Sequence, residues 1–131
     1  MKPIVYLAGH SIEKSYRDYV IKKYGKKIEA FDPMREIEAD IDRSNPSFKE
    51  KIVSSDKAKI AHNTHILVAY IKKCTFGTTM EILTAWNNQI PVFCIIDKDS
   101  KLEDDIWLSY HTTKFFYSID DCFESIINNF Q

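Results

Sequence analysis

The chain has 131 residues, 44% of them hydrophobic, which predicts one compact domain spanning residues 1–131. Its 18 lysines and arginines nearly cancel its 19 aspartates and glutamates, so no net field would attract a nucleic-acid polymer or an anionic membrane. Its longest apolar run is far shorter than the ~20 residues of a membrane span, and no signal-peptide pattern precedes the first strand signal.

Five short apolar runs alternate with segments whose apolar residues recur at helical spacing. Glycines and prolines punctuate these segments, as Gly9, Gly25 and Pro33 do at the ends of the first three. The last helix is the most regular and begins with a capping pair, Ser118 and Asp121. In chain order the pattern predicts strands at 4–8, 27–31, 65–71, 91–96 and 114–117, helices at 11–24, 48–62, 78–88 and 119–130, a long polar loop at 34–47, and a short helix or loop at 102–110.

Nearly continuous apolar strands that alternate with amphipathic helices are typical of a parallel sheet covered on both faces. The expected fold is therefore α/β: a flavodoxin-like, doubly wound, five-stranded parallel sheet with helices on both faces. In such a sheet ligands bind in the crevice at the carboxyl ends of the strands. The functional edge should be built from the segments that follow the strands, namely Gly9-His10-Ser11, Asp32-Pro33-Met34, residues 72–79, and residue 97 onward.

Glu81 belongs to the segment Gly77-Thr78-Thr79-Met80-Glu81, which follows the most strand-like run of the chain. Two interpretations of this glutamate are open. Thr78-x-x-Glu81 fits a capping box, in which the glutamate only reaches back to a backbone N–H. A carboxylate delivered to the mouth of a parallel sheet is also well placed to act on a substrate.

Asp56 and Tyr6 are the partners that a catalytic glutamate would need. Asp56 lies four residues from both Ile52 and Ile60, on the apolar face of its helix, where a carboxylate needs a partner or a shifted pKa. Tyr6 lies near the end of the first strand, and its hydroxyl would need a partner if buried. Gly9, just beyond it, would permit close approach of the backbone to a ligand.

The cysteines, histidines and tryptophans give weaker signals. Cys94 and Cys122 are expected to be core thiols and Cys74 to be exposed, which favours a reducing, cytoplasmic setting over a disulfide framework. Trp86 is expected in the core, and Trp107 in a lid or subunit contact. The histidines share no ligand spacing, so no metal site is predicted; those considered are His62, His65 and His111.

Four segments, taken in order, resemble the nucleoside 2-deoxyribosyltransferase family. They are Val5-Tyr6-Leu7-Ala8-Gly9, Phe31-Asp32-Pro33, Asp56 with Ile66-Leu67-Val68-Ala69-Tyr70, and Gly77-Thr78-Thr79-Met80-Glu81-Ile82-Leu83-Thr84-Ala85. The resemblance runs from the first strand to about Trp107, most of the chain. The family includes transferases that exchange bases on 2'-deoxyribose and relatives that hydrolyse the N-glycosidic bond of nucleoside 5'-monophosphates.

The resemblance implies roles for three residues: Glu81 as nucleophile, Tyr6 as the tyrosine that orients it, and Asp56 as the aspartate that contacts the base and helps protonate it. It also implies base contacts from Asp32 and Met34, in the stretch that runs to Glu36, and substrate contacts at the Gly77-Thr78 turn. No metal or organic cofactor is implied. The expected partners are a nucleoside or nucleotide, a free base, and further copies of this chain in a homodimer or larger homo-oligomer with shared sites.

Departures from the transferase pattern leave two substrates possible, a nucleoside or a nucleoside 5'-monophosphate. The transferases carry an aspartate six residues before the nucleophile, where this chain has Thr75, and a hydroxyl there is typical of the monophosphate hydrolases. His10 and Ser11 lie where those hydrolases contact phosphate, at a helix N-terminus. The acidic Glu103 and Asp105, near Trp107, would instead repel a phosphate. Transferase is the leading interpretation, monophosphate N-glycosidase the alternative, and a non-catalytic nucleotide-binding module the third.

Overall fold

The computed structural model describes residues 1–10, 13–34, 45–73 and 75–130, which fold around a five-stranded sheet. The strands are β1 (Ile4–Gly9), β2 (Glu29–Phe31), β3 (Ile66–Ile71), β4 (Val92–Ile96) and β5 (Lys114–Phe116). The helices are α1 (Lys14–Tyr24), α2 (Ser47–His62), α3 (Phe76–Asn87), α4 (Ile106–Tyr110) and α5 (Ile119–Asn129). Two short 3-10 turns, Lys98–Ser100 and Leu102–Asp104, precede α4.

The strand order is β2-β1-β3-β4-β5, and every neighbouring pair is parallel. From β1 the chain crosses to β2 on one side and then returns past β1 to form β3 on the other. The order therefore reverses between β1 and β3, and a crevice opens there at the carboxyl ends of the strands. The predicted flavodoxin-like, doubly wound parallel sheet is confirmed.

Alternate residues of the central strands face opposite layers, as the pleat requires. Val5 and Leu7 of β1 pack with the buried residues of α1 and α5, which form one layer. Tyr6 and Ala8 pack on the other face, together with residues of α2 and α3. Because Tyr6 points into the layer that carries Asp56 and Glu81, the alternation of β1 brings its hydroxyl to the candidate site.

The predicted elements match the observed ones except at particular ends. The third helix begins at Phe76, two residues before the predicted start, because the Thr75 hydroxyl accepts the N–H of Thr78 and so caps the helix. Strand β2 begins at Glu29, two residues later than predicted. The expectation that Trp86 packs in the core is wrong: its side chain is 37% exposed and contacts Tyr110 and His111.

Several predictions fall on residues outside the described ranges: Ser11 as a phosphate contact, Cys74 as an exposed thiol, and most of the 34–47 loop with Glu36. Cys94 and Cys122 are buried free thiols, as expected. Within the described ranges, no helix combines the length and apolar character that crossing a membrane requires.

Candidate active site

A cleft of ≈ 550 Å³ lies at the carboxyl ends of β1 and β2 and between α2 and α3. That size suits a small organic ligand. Most of the predicted site residues line it, and the side chains of α2 and α3 form its longer walls. The lining residues are Gly9, His10, Pro33, Met34, Ile52, Val53, Asp56, Lys57, Ile60, Thr75, Gly77, Thr78, Met80, Glu81 and Thr84.

Glu81 and Tyr6 are joined by a hydrogen bond across the cleft floor. The fully buried Tyr6 donates its hydroxyl to Oε2 of Glu81, and its ring packs on Phe31 with centroids 5.3 Å apart. The capping-box interpretation of Glu81 is wrong, because the N-cap of α3 is Thr75, six residues before it. A glutamate one and a half turns into the helix is beyond reach of the orphan N–H groups of the first turn. Its side chain is thus available to the cleft.

Burial is the main reason why the pKa of Glu81 is raised from 4.5 to about 7. The negative charge of Asp56 raises that pKa further, whereas the hydrogen bond from Tyr6 and the positive charge of Arg17 lower it. The pKa of Tyr6 is raised well above its ordinary value by burial and by the charges of Glu81 and Asp56. Tyr6 therefore stays protonated and keeps its role as donor, while Glu81 exchanges its proton near neutral pH.

Asp56 lies on α2, across the cleft from α3, and is half-buried. Its charge acts on both Glu81 and Tyr6, so the three predicted catalytic residues form one electrostatic cluster. Ile52, on the apolar face of the helix, lines the cleft beside Asp56, as does Val53, which is 50% exposed. The apolar residues of α2 thus contact two regions. Ile60 packs in the core at the inner side of the cleft, and the earlier turns face the cleft itself.

The last residue of β1 and the residues that follow β1 and β2 shape the opposite wall. Gly9, His10 and Met34 line the cleft, as predicted. A Cβ at Gly9 would lie 3.2 Å from the carbonyl oxygen of Tyr70, and the expected close approach of its backbone to a ligand stays a prediction. Asp32, predicted to contact a base, accepts the Met34 N–H at 2.9 Å with Oδ1, and the same oxygen lies 3.4 Å from Nε of Arg17.

Arg17 is the residue of this region that sequence reasoning missed. It is 1% exposed and lies behind the wall formed by Gly9 and His10. A signal existed: Arg17 falls three residues before Val20 and seven before Tyr24, on the buried stripe of α1. A charged residue in such a stripe is the same pattern that singled out Asp56.

Thr75, Gly77 and Thr78 bring the N-terminal turn of α3 to the cleft. The Thr75 hydroxyl donates to that of Thr78 at 2.8 Å and accepts the Thr78 N–H at 3.4 Å. Gly77 lies within the helix rather than in a preceding turn, and a Cβ there would meet nothing within 4 Å. A helix N-terminus flanked by two hydroxyls favours binding of an anionic or polar group.

A second, mostly apolar cavity of ≈ 320 Å³ lies on the other side of this turn. It shares Thr75, Thr78 and Met80 with the cleft and extends to Trp107 and His111, whose rings stack with 8° between their planes. Trp107 is 78% exposed, and its place in a lid or a subunit contact stays a prediction. Among the described residues, no group of three or more histidine, cysteine or carboxylate side chains could hold a metal ion.

No family model matches this chain, and no curated protein matches it significantly. Among solved structures, the chain is similar to the crystal structure of a conserved protein from Enterococcus faecalis, with a TM-score of 0.76 and 18% sequence identity. The match covers 98% of this chain and 99% of that one. At this identity the likeness shows the fold alone.

Proposed function

We propose that the protein cleaves the N-glycosidic bond of 2'-deoxynucleosides and transfers the deoxyribose to another base through a glycosyl–Glu81 ester. The observation that carries the proposal is the Tyr6–Glu81 pair in a cleft that also holds Asp56. A carboxylate that a buried tyrosine holds in one orientation suits a nucleophile, and it is ionised for attack above its pKa of about 7. The resemblance to the deoxyribosyltransferase family, drawn from the residues alone, supports the same assignment.

In the proposed reaction, an Oε atom of ionised Glu81 attacks C1' while the C1'–N bond breaks and its electron pair leaves with the base. When the substrate binds, the proton held by Glu81 moves to Asp56, and Asp56 then gives it to the departing base nitrogen and so neutralises the developing negative charge. A second base then attacks C1' of the ester, returns a proton to Asp56 and frees the Glu81 carboxylate. Retaining glycosidases use two carboxyl groups in the same way, one as nucleophile and one as acid and base.

A second candidate function is hydrolysis of nucleoside 5'-monophosphates to a free base and a sugar phosphate. The observation that favours it is the set of polar groups in the cleft lining: the hydroxyls of Thr75 and Thr78 at the N-terminus of α3, together with Lys57 and His10. Hydroxyls, a helix N-terminus and a lysine are the donors that bind phosphate in proteins. Water would then take the place of the second base. The third candidate is a nucleotide-binding module without turnover, built on the same cleft.

We also propose that the protein forms a homodimer or larger homo-oligomer in a reducing, cytoplasmic setting. Apolar side chains of α3 and α4 are exposed beside the second cavity, where a second copy could cover them and complete the site. They are Phe76, Met80, Leu83, Ile106, Trp107 and Tyr110. Exposed apolar surface of this kind is typical of protein interaction sites. The buried free thiols Cys94 and Cys122 are compatible with a reducing compartment.

The test is a product assay on two substrate sets. Incubation with deoxyinosine plus free adenine should yield deoxyadenosine if the protein is a transferase. Free base released from dCMP or dGMP would instead identify the hydrolase. Ligand-induced stabilisation without product from either set would identify the binding module.

The matched variants are Glu81→Gln and Glu50→Gln. Glu81→Gln should lower turnover about a thousandfold or more, because the amide cannot form the ester. Glu50 is exposed on α2, so Glu50→Gln should leave turnover unchanged. Turnover retained in Glu81→Gln would overturn the nucleophile assignment.

A further inference from the structure

Arg17 is a buried cation whose hydrogen bonds all reach one end of β1. Its Nε donates to the carbonyl of Leu7 at 3.2 Å, Nη1 to that of His10 at 3.1 Å, and Nη2 to that of Gly9 at 2.8 Å. A buried guanidinium must satisfy its five N–H donors, and here the backbone of β1 and its following turn satisfies three of them. The Arg17 side chain therefore fixes the path of the backbone at the end of β1.

The same guanidinium reaches the end of β2. Nε lies 3.4 Å from Oδ1 of Asp32, which also accepts the Met34 N–H at 2.9 Å. Both charged side chains are nearly buried, with 1% and 9% of their surface exposed. Buried ion pairs contribute little net stability compared with apolar packing but are costly to break, so they hold a geometry. Arg17 thus connects the carboxyl ends of two adjacent strands.

Both connected segments form the wall of the cleft opposite α3. Gly9, the last residue of β1, and His10 line it, as do Pro33 and Met34 after β2, whereas Arg17 is not among the lining residues. We propose that Arg17 is a positioning residue that holds this wall at a fixed distance from Glu81 and so sets substrate affinity. The proposal rests on the proposed function for its kinetic readout only, since the structure of the wall can be measured without turnover.

Arg17 also contributes charge to the site. The groups that act on Glu81 are Tyr6 of β1, Asp56 of α2 and Arg17 of α1, and Arg17 lowers its pKa. Removal of this positive charge should therefore raise the pKa of Glu81, while a lysine at the same position should largely preserve it. Comparison of the two replacements therefore separates the effect of the Arg17 charge from the effect of its hydrogen-bond geometry.

The experiment compares Arg17→Lys, Arg17→Gln and Asp32→Asn with Lys22→Gln, an exposed charge removal on the same helix. Arg17→Lys should raise KM about tenfold with a smaller change in kcat, because the lysine keeps the charge but loses the planar fork. Arg17→Gln should in addition move the pH midpoint of kcat/KM upward by about half a unit. Lys22→Gln should match the wild-type protein in KM and in the pH midpoint of kcat/KM.

Hydrogen exchange provides the readout that needs no turnover. The Met34 amide should exchange about tenfold faster in Arg17→Lys, relative to the Ile95 amide of β4. In Asp32→Asn the same is expected of the Glu13 amide, which donates to the His10 carbonyl that Arg17 holds and does not bond to Asp32. Asp32→Asn keeps the shape of the side chain, so it tests the connection even if replacements at Arg17 fail to fold. Unchanged exchange at Met34 in folded Arg17→Lys, or at Glu13 in folded Asp32→Asn, would overturn the proposal. Faster exchange in a protein without products would sustain it and refute the proposed function alone.

Discussion

Tyr6 combines a structural and a chemical role in one side chain. Its ring packs in the layer between the sheet and α2 and α3, and its hydroxyl donates to Glu81. Because the ring supplies most of the buried area, the two roles can be separated by removal of one oxygen atom.

Tyr6→Phe should leave the fold intact and lower turnover about tenfold to a hundredfold, because Glu81 loses its orienting hydrogen bond. That hydrogen bond lowers the pKa of Glu81, so its loss should move the rising limb of kcat/KM from about pH 7 to higher pH. The measurement is a pH–rate profile of both proteins. The control is Tyr24→Phe, since Tyr24 is also buried and donates to a carboxylate, Asp120, at 2.6 Å. A profile unchanged in Tyr6→Phe would contradict the role of Tyr6.

Glu81 should destabilise the fold at neutral and alkaline pH. Its pKa is 4.5 as an ordinary glutamate and about 7 in the folded protein, so the native state holds the proton more tightly than the unfolded chain. Stability from this group is therefore complete below pH 4.5 and falls as the pH rises to 7, by about 3 kcal/mol.

Glu81→Gln should consequently be more stable than the wild-type protein at pH 8 by about 2 kcal/mol and nearly equal to it at pH 4. Urea denaturation at the two pH values measures the difference. Glu50→Gln, with its exposed side chain, should show no such dependence. Equal stability of Glu81→Gln and wild type at pH 8 would mean that Glu81 is not held in a desolvated site.

At the residue level the sequence predicted which side chains meet, but not what surrounds them. Glu81, Asp56 and Tyr6 were brought together as expected because strand alternation and helical periodicity determine which face each occupies. Arg17 was missed because its partners are backbone carbonyls, which leave no pattern in the sequence. The proposed capping role of Glu81 failed because two threonines three residues apart both fit a helix start.

Among the elements, the first turn of α3 has two roles that should be separable. Thr75→Ala removes the cap and should lower the free energy of unfolding by about 1 kcal/mol. It should also lower activity, because Thr75 lines the cleft. Thr75→Ser should retain both properties, as measured by urea denaturation and product assay.

Ser118→Ala is the matched control for the loss of a cap. Ser118 caps α5 by accepting the Asp121 N–H at 3.0 Å and is absent from the cleft lining. Its loss should cost a similar amount of stability, about 1 kcal/mol, and no activity. If both variants lose activity equally, general destabilisation rather than the cleft explains the effect of Thr75→Ala.

Strands and helices were predictable because most carry their own signal. The interior strands are apolar throughout, since both of their faces are covered, and α5 shows an unbroken apolar stripe. Element ends were less predictable, because hydrogen bonds of single side chains determine them. Trp86 was misplaced because it lies on the outer side of α3, where aromatic partners from outside the helix, Tyr110 and His111, cover it only in part.

For the whole molecule, the proposed oligomer should depend on the exposed apolar side chains of α3 and α4. Trp107→Glu and Phe76→Glu place a charge on side chains that are 78% and 85% exposed, so neither should disturb the monomer fold. If a second copy covers them, the burial of an unpaired charge should shift the association equilibrium strongly toward monomer. Sedimentation velocity at several concentrations measures the shift.

Tyr117→Glu is the control for added surface charge. Tyr117 is 51% exposed and lies after β5, away from α3 and α4. It should leave the sedimentation of the protein unchanged. A wild-type protein that sediments as a monomer at all concentrations would refute the proposed oligomer, and loss of activity in Trp107→Glu together with dissociation would support a shared site.

Gly77 is a position at which evolution could change the size of substrate that the cleft accepts. Gly77 is the second residue of α3, and nothing within 4 Å would obstruct a Cβ at this position. The fold therefore does not require the glycine, and its backbone leaves open a part of the cleft between α2 and α3. Replacement of Gly77 by progressively larger residues would narrow this part of the cleft by degrees without disturbing the core. Substrate size could thus drift during evolution while Tyr6 and Glu81 remain in place.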